Sequence, residues 1–370
     1  MDETYKKLDI LQVNLLADEG VRSHNILPKD AIEMLEEYIK PQFNTILAIG
    51  GVTYEGDEYN HDTTVLTKSD IIYEYNHDHT WKEFKIRTID TVTGLVDYTP
   101  VRIPADLQAH TANGTSSCVM NDGTILVTST DNRLSDDQTF GYMFRPWDAV
   151  NPFERIPLEV CRKFAAREKG QLVPLPDGRI LRLGGIVYNL QRRVEGFAKN
   201  AIYDPATKQW AGSIDINIPE GSYSVVLRTG KLLITGGKLD NQNPTKCSLY
   251  DLKTGESETT GRMGAPRIYH AGCMLPDGNI FVCGGMSTDQ RRSRTMEIYN
   301  VATGKWSGLT DLLIDRWEHY CISTENGEVL IAGDSREKRM CEVWGPTFGS
   351  RVILLPSGGP VDCAYVPIYN

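Results

Sequence analysis

A short pattern recurs along most of this chain: a polar turn, four or five apolar residues, and then a pair of small residues, usually glycines. Its six copies are NTILAIGG (44–51), GTILVTST (123–130), GRILRLGG (178–185), GKLLITGG (230–237), GNIFVCGG (278–285) and GEVLIAGD (327–334). In the last four copies the small pairs follow one another after 52, 48 and 49 residues. A period of about 50 residues is too long for a coil of one strand and one helix, and it predicts one four-stranded sheet per repeat.

Other elements keep the same phase. A tyrosine strand and a turn follow the glycine pair in three repeats, as AIYDPATKQW, SLYDLKTGES and EIYNVATGKW. The tyrosine and the tryptophan are seven residues apart both at Tyr203 and Trp210 and at Tyr299 and Trp306. Each repeat is therefore predicted to contain an innermost strand, a second strand that ends in the glycine pair, a tyrosine strand and an outer strand. The aromatic rings are expected to pack between adjacent sheets.

These residues resemble the kelch repeat, and residues 44–345 look like a kelch-type β-propeller. The resemblance implies an all-β fold of six or seven four-stranded blades around a central channel. The copy at 123 has Ser129-Thr130 in place of the glycines, and 79 residues separate Gly50 from Ser129. The first unit therefore either carries a long insertion or hides a degenerate blade. The segment TIDTVTGLVDYTPV (88–101) resembles another tyrosine strand and turn, and one enlarged blade is favoured.

The ends of the chain bear on how the ring closes. The C-terminal segment 350–370 contains two more strand-like runs, which, together with the run LDILQVNLL (8–16), can complete a seventh blade or close the ring by pairing of the chain ends. Both six and seven blades are compatible with the sequence, and seven is preferred. Residues 28–40 carry apolar side chains at 32, 35, 38 and 39 and predict a short amphipathic helix outside the ring. The predicted domains are an N-terminal arm at 1–43, which can donate a closing strand or an oligomer contact, and a propeller at 44–370.

Composition narrows the possible partners. The net charge of −10 argues against a nucleic-acid partner. No apolar run approaches the roughly 20 residues that span a bilayer, and the sequence MDETYKKLDI lacks the pattern of a signal peptide. The eight cysteines show no CxxC spacing. A cytoplasmic protein with reduced, buried thiols and no membrane partner is expected.

A resemblance to copper enzymes fails at the residues that matter. The turns LPDGRI and LPDGNI and the segment CEVWGPTF are similar to the galactose-oxidase and glyoxal-oxidase branch of propellers, and Tyr269-His270 is similar to its Tyr-His copper ligands. Glu168 or Lys169 stands where that family has its radical tyrosine, and Glu318-His319 stands where a Tyr-His pair is expected. The resemblance therefore implies no copper site, and no cofactor is expected.

A second enzymatic interpretation is a sugar epimerase or mutarotase, similar to the kelch-type sialate mutarotases. Acid–base residues would have to converge at one mouth of the central channel. Polar residues precede several innermost strands, namely Arg167, Glu168, His270, Glu318 and His319. The alternative interpretation is that they line a wet channel without catalytic function.

Two basic loops favour a binding function instead. The segments QRRVEG (191–196) and DQRRSR (289–294) follow the glycine pair in two repeats. They form either a solvated loop surface or a docking surface for an acidic partner. The candidate contact residues are Arg192, Arg193, Arg291, Arg292, Arg294, Trp147 and Trp317. The favoured function is a non-catalytic protein-interaction or assembly module that binds a protein partner, or further copies of itself, through loops on one face.

The pentapeptide EYNHD occurs twice, at 58–62 and 74–78, and His79 follows the second copy. Imidazole and carboxylate groups suit a divalent transition metal. In the kelch phase, His77 and His79 lie between the third and fourth strands, whereas His61 lies between the second and third, roughly 20 Å away. No metal site is expected there unless residues 63–66 and 71–75 form an extra hairpin that brings His61 close to His77.

Overall fold

The computed structural model describes the chain in segments. These are residues 44–49, 52–55, 65–68, 72–75, 79, 81–89, 96–104, 116–120, 122–128, 140–148, 150–157, 170–184, 186–188, 194–197, 200–211, 214–238, 244–333, 340–354 and 364–369. They contain strands, turns and loops, and no helix. Within them, no helix is therefore available that could cross a membrane. The helix predicted at 28–40 and the rest of the arm at 1–43 lie outside the described residues.

The strands are numbered in chain order. They are β1 (Asn44–Ile49), β2 (Val52–Glu55), β3 (Val65–Lys68), β4 (Tyr73–Tyr75), β5 (Trp81–Glu83), β6 (Lys85–Ile89), β7 (Val96–Pro100), β8 (Ser116–Val119), β9 (Ile125–Thr128), β10 (Phe140–Phe144), β11 (Phe153–Pro157), β12 (Gln171–Pro174), β13 (Ile180–Leu183), β14 (Ile186–Tyr188), β15 (Val194–Phe197), β16 (Ala201–Asp204), β17 (Gln209–Ala211), β18 (Tyr223–Val226), β19 (Lys231–Thr235), β20 (Cys247–Asp251), β21 (Ser257–Thr259), β22 (Ala271–Met274), β23 (Ile280–Cys283), β24 (Met296–Asn300), β25 (Lys305–Gly308), β26 (Tyr320–Ser323), β27 (Val329–Ala332), β28 (Met340–Gly345), β29 (Gly349–Leu354) and β30 (Ala364–Tyr369).

Six four-stranded antiparallel sheets form the blades of a propeller. From the innermost strand outwards, blade 1 is β30-β1-β4-β5, blade 2 is β8-β9-β10-β11, blade 3 is β12-β13-β16-β17, blade 4 is β18 to β21, blade 5 is β22 to β25 and blade 6 is β26 to β29. Each innermost strand lies beside those of its two neighbours, and the succession β30, β8, β12, β18, β22, β26 returns to β30. The ring therefore has six blades, and the preference for seven was wrong.

The ring closes by pairing of the two ends of the described chain. β30 runs antiparallel to β1, with Asn44 opposite Tyr369 and Ile49 opposite Ala364. The other strand-like run of the C-terminal segment, β29, is the outer strand of blade 6. Both extra runs are thus used within six blades, so the ring closes by pairing of β30 with β1 and neither run is left for a seventh blade. The N-terminal run LDILQVNLL lies outside the described residues.

The predicted phase of the repeat is confirmed. All six copies of the apolar pattern supply second strands, and the tyrosine strands lie third. The Tyr203 ring lies 5.2 Å from that of Trp210, and the Tyr299 ring lies 5.0 Å from that of Trp306, between ring centroids. Tyr203 and Trp210 of blade 3 pack in one cluster with Met143 and Ile156 of blade 2. The aromatic rings therefore seal the junction between neighbouring blades, as expected.

The first unit is enlarged by two additional hairpins, β2-β3 and β6-β7. β3 pairs with β2, and β4 pairs with β1 and β5. The described strands therefore do not form the hairpin that would bring the two EYNHD copies together. His79 lies between β4 and β5, where its Nδ1 bonds to the hydroxyl of Tyr75. His61 and His77 lie outside the described residues, so the metal hypothesis stays untested.

The propeller has two faces with different kinds of loop. On one face, which we call the connection face, lie the ends of the second strands and the segments that lead from one blade to the next. On the other, the hairpin face, lie the tight turns between first and second strands and between third and fourth strands. Both kinds of turn follow from the antiparallel order of each blade.

Candidate functional site

A buried arginine joins blade 4 to blade 5 beneath the connection face. The carbonyl of Arg267 accepts a hydrogen bond from the backbone N–H of Gly237, at the end of the second strand of blade 4. Its guanidinium donates to the carbonyls of Gly284 and Thr295 and to the carboxylate of Glu297, all in blade 5. The side chain of Arg267 is fully buried and that of Glu297 is nearly so. Main chain and side chain of one residue therefore hold two blades together.

The next junction repeats this arrangement. The Arg316 carbonyl accepts from Gly285 of blade 5, and its guanidinium donates to the carbonyls of Gly333 and Met340 of blade 6. Its Nε lies 3.5 Å from a carboxylate oxygen of the fully buried Glu342. Burial raises the pKa of Glu342, although two backbone N–H donors and Arg316 oppose that shift. Blades 4, 5 and 6 are thus connected by one repeated device.

The glycine pairs are explained by these arginines. A Cβ at Gly236 would lie 2.4 Å from the Arg267 carbonyl oxygen and 3.0 Å from Cε1 of His270, and the Gly236 φ is +58°. A Cβ at Gly284 would meet Arg316 and His319 in the same way. The glycine pair is therefore needed because the segment that enters the next blade passes too close for a Cβ.

Gly236→Ala is expected to destabilise the fold strongly. A non-glycine residue at positive φ costs about 1–2 kcal/mol, and overpacking adds about 1–3 kcal/mol. Gly230→Ala is the matched control, because Gly230 has a φ of +81° and an added Cβ meets nothing within 4 Å. Urea unfolding followed by circular dichroism measures both losses. Equal losses for the two variants would contradict the close-approach explanation.

Histidines that precede two innermost strands lie inside the blade junctions. His270 is 7% exposed, and its Nε2 lies 2.8 Å from the hydroxyl of Thr235. Burial, with the charges of Arg267 and His319, places the pKa of His270 well below its ordinary value, so this imidazole stays neutral. His319 is 6% exposed and occupies the equivalent place in the next junction. Neither histidine faces the surface.

His319 lies beside two thiols instead of a hydroxyl. Its Nε2 is 3.2 Å from the sulfur of Cys283, and that sulfur is 3.3 Å from the sulfur of Cys321. We call these three residues the thiol–imidazole cluster. Burial favours the neutral thiol of Cys283, but the hydrogen bond from Cys321 and the proximity of His319 outweigh burial and lower its pKa to about 5. Burial and the neighbouring Cys283 raise the pKa of Cys321 well above its ordinary value.

The described residues do not assemble the acid–base set predicted for an epimerase. His270 and His319 are buried within the junctions, whereas Glu318 is exposed on the connection face. Arg167 and Glu168 lie outside the described residues. The described cysteines fit the prediction of buried thiols, since Cys118, Cys247, Cys273, Cys283, Cys321 and Cys341 are all buried.

On the connection face, equivalent positions of blades 4, 5 and 6 form a row of backbone hydrogen bonds. The N–H of Tyr269 donates to the carbonyl of Gly221, and the N–H of Glu318 donates to the carbonyl of Tyr269. All three residues have positive φ, of +68°, +58° and +51° in chain order.

An aromatic–arginine group lies on this row. The rings of Tyr269 and Trp317 contact edge to face, with centroids 6.0 Å apart. The guanidinium carbon of Arg292 lies 5.4 Å from the centre of the Trp317 ring, within cation–π distance. Tyr269 also donates to Glu220, and all three members are half-buried. We call Tyr269, Arg292 and Trp317 the connection-face cluster.

The structure separates the predicted binding residues. Arg291 and Arg294 are exposed and flank Arg292 in the loop between β23 and β24. Trp147 lies on the opposite, hairpin face, where its ring covers Gly123 in the turn of the same blade. Arg192 and Arg193 lie outside the described residues. Four of the seven candidates, Arg291, Arg292, Arg294 and Trp317, therefore share one surface.

Sequence reasoning missed the buried ion pairs and the thiol–imidazole cluster. A signal for the ion pairs was present, because Arg267 and Arg316 are 49 residues apart, as are His270 and His319. The glutamates at 297 and 342 likewise stand two residues before an aromatic residue in the third strand. The two cysteines of the cluster carry no such repeat signal.

Comparisons with known proteins agree with the fold. A family model described as the Kelch motif matches residues 267–313, which run from Arg267 to just beyond β25. Human Kelch domain-containing protein 1 is 26% identical over 148 residues, which are 37% of this chain and 36% of that protein.

Two further relatives show similar coverage. Kelch repeat-containing protein kel-10 of Caenorhabditis elegans is 26% identical over 147 residues, covering 37% of this chain and 25% of that protein. Kelch-like protein 41a of Danio rerio is 26% identical over 171 residues, covering 44% and 28%. The matches thus span between 25% and 36% of the relatives' lengths. The motif match, the kelch relatives and the six-bladed ring together support a kelch-repeat β-propeller.

Proposed function

We propose that this propeller is a protein-interaction module that binds an acidic segment of a partner protein at the connection-face cluster. The observation that carries the proposal is the placement of Arg292 over the Trp317 ring, which also contacts the Tyr269 ring edge to face. Aromatic and arginine side chains are the residue types that most often dominate protein interfaces. Exposed Arg294 and exposed Arg291, which pairs with Asp289, add positive charge beside this centre.

The loop that carries the arginines is held by its own backbone. Ser287 donates to the carbonyl of Arg291, Gln290 donates to the carbonyl of Ser287, and Ser293 donates to the carbonyl of Gly285. A surface that is ordered before binding loses less conformational entropy when the partner arrives. The loop therefore suits recognition, and its charge suits carboxylates in a chain whose overall charge is −10.

Charge reversal tests this function. Arg291→Glu with Arg294→Glu is expected to reduce partner recovery in affinity purification from an extract of the source cells by about tenfold or more, because each exposed cation contributes to attraction and correct docking. The matched control is Lys253→Glu with Lys305→Glu, which makes the same charge change at exposed sites on the hairpin face. Quantitative mass spectrometry of the captured proteins compares the two variants.

Three further measurements complete this test. Trp317→Ala is expected to lose the same captured proteins, because it removes the aromatic centre. A synthetic peptide from the acidic segment of a captured protein should then bind the purified propeller, and binding should weaken as salt rises. An untagged second copy of the chain among the captured proteins would indicate self-assembly. Equal capture by the Arg291/Arg294 variant and its hairpin-face control would refute the proposed surface.

A further inference from the structure

The thiol–imidazole cluster consists of donors from two different blades. Cys283 is the last residue of β23 in blade 5. In blade 6, His319 immediately precedes β26, and Cys321 lies within β26. Their donor atoms all lie within 4.8 Å of one another, and they form the metal-ligating group of three that the described residues contain. The side chains are between 0% and 8% exposed. Soft sulfur and imidazole donors, enclosed at a blade junction, are those that zinc prefers.

The cluster differs from its counterpart one junction earlier. There the equivalent positions hold Thr235, His270 and Gly272, and the histidine simply bonds to the threonine hydroxyl. A Cβ at Gly272 would lie 2.7 Å from the ring of Tyr223, so that ring fills the space. Ala271 takes the place of Tyr223 in the next blade, which leaves room for the Cys321 side chain. A single hydrogen bond between histidine and threonine is therefore sufficient at the junction of blades 4 and 5. The two thiols at the junction of blades 5 and 6 go beyond what the packing of a blade junction requires.

The distances fit a tetrahedral ion after a small adjustment. Bonds of about 2.3 Å from zinc to sulfur and about 2.0 Å to nitrogen place two sulfurs about 3.8 Å apart and a sulfur and a nitrogen about 3.5 Å apart. The corresponding separations here are 3.3 Å between the sulfurs and 3.2 Å from the Cys283 sulfur to the His319 nitrogen. Each needs to widen by only about 0.3–0.5 Å.

Charge favours zinc over a monovalent ion. Two thiolates and a neutral imidazole around Zn²⁺ sum to zero, which suits a buried site, whereas Cu⁺ would leave one uncompensated negative charge. The nearest buried cations, Arg267 and Arg316, are already occupied by Glu297 and Glu342. We propose that Cys283, His319 and Cys321 bind one zinc ion that cross-links blades 5 and 6 and leaves its fourth coordination position to water.

The consequence for the surface is direct. Trp317 lies two residues before His319, on the same short segment between β25 and β26. An ion that holds His319 would therefore fix the base of the connection-face cluster. The zinc site is nevertheless independent of partner binding, since it depends only on the buried donors.

The test uses the full chain purified without a histidine tag, stripped with a chelator under reducing conditions. Addition of Zn²⁺ against a chromophoric chelator is expected to show one high-affinity ion per chain and to raise the unfolding temperature. Co²⁺ in its place should give the sulfur-to-metal charge-transfer absorption of thiolate ligands. Cys283→Thr is expected to lower zinc affinity by about 100-fold or more, because one of few ligands is lost.

Cys283→Thr is also chosen to preserve the fold, since threonine occupies the equivalent position beside His270. Cys118→Ser is the control, because Cys118 is a buried thiol of β8 in blade 2, outside the two blades that the cluster joins. It should keep full zinc affinity. Equal affinity of wild type and Cys283→Thr, or absence of stoichiometric binding by the wild type, would overturn the proposal. The intact mass of the wild-type chain should also be measured with and without reductant. A chain 2 Da lighter without reductant that takes up no zinc after reduction would overturn the proposal in favour of a Cys283–Cys321 disulfide.

Discussion

Removal of residues 364–370 is expected to abolish the cooperative unfolding transition of the propeller. These residues contain β30, which is the innermost strand of blade 1 and pairs with β1 along six residues. Without β30, the ladder edge of β1 is unpaired, and β8 and β26 lose the strand that lies between them. The unpaired backbone groups and the opened core together remove stabilisation comparable with the marginal stability of a typical domain, about 5–15 kcal/mol. Near-UV circular dichroism during urea unfolding measures the loss.

Two companion measurements make this prediction specific. A chain that lacks only Asn370, which lies beyond β30, should unfold like the full chain. A synthetic peptide of residues 364–370, added in excess to the truncated chain, should restore part of the near-UV signal by pairing with β1. A truncated chain with an unchanged midpoint would show that β30 does not close the ring.

Glu297→Gln is expected to destabilise the propeller by about 3–5 kcal/mol, because it leaves the buried charge of Arg267 without a counterion. Glu297 also accepts hydrogen bonds from the backbone N–H groups of Gly264 and Ala265. A glutamine has one acceptor oxygen and cannot serve all these donors together. The free energy of unfolding, measured in urea, gives the loss.

An exposed ion pair provides the control for this substitution. Glu258 pairs with Lys231 on the surface, and both side chains are exposed. Glu258→Gln should leave the unfolding midpoint unchanged, since solvent screens such pairs. A loss below about 1 kcal/mol for Glu297→Gln, comparable to a typical surface change, would mean that the buried pair does not hold the junction.

The strand order of each blade is predictable from the sequence because glycine pairs and tyrosine–tryptophan spacings mark the second, third and fourth strands. The number of blades is harder to predict. β30 carries none of these markers, and its partner β1 lies at the other end of the described chain. Counting repeats along the chain therefore assigns the C-terminal runs to an extra blade, whereas the three-dimensional ring uses them to complete the first and the last.

The site is less predictable than the fold for a related reason. Arg267 and Arg316 recur at the repeat spacing, so alignment of the repeats would find them, with their glutamate partners. Cys283 and Cys321 occupy different strands of different repeats. Each one alone looks like an apolar strand residue, and only the contact between the second strand of blade 5 and the first of blade 6 brings their sulfurs together.

Closure by β30 has a consequence for folding order. Loop-closure entropy grows only with the logarithm of loop length, so bringing Asn44 to Tyr369 costs about 1.7 kcal/mol more than closing one repeat of about 50 residues. The completed ring is therefore inexpensive at equilibrium but slow to reach, because this contact is the most distant in sequence. During synthesis, the edge of β1 must wait unpaired until β30 has left the ribosome, and an unpaired strand edge is exposed to aggregation during that time.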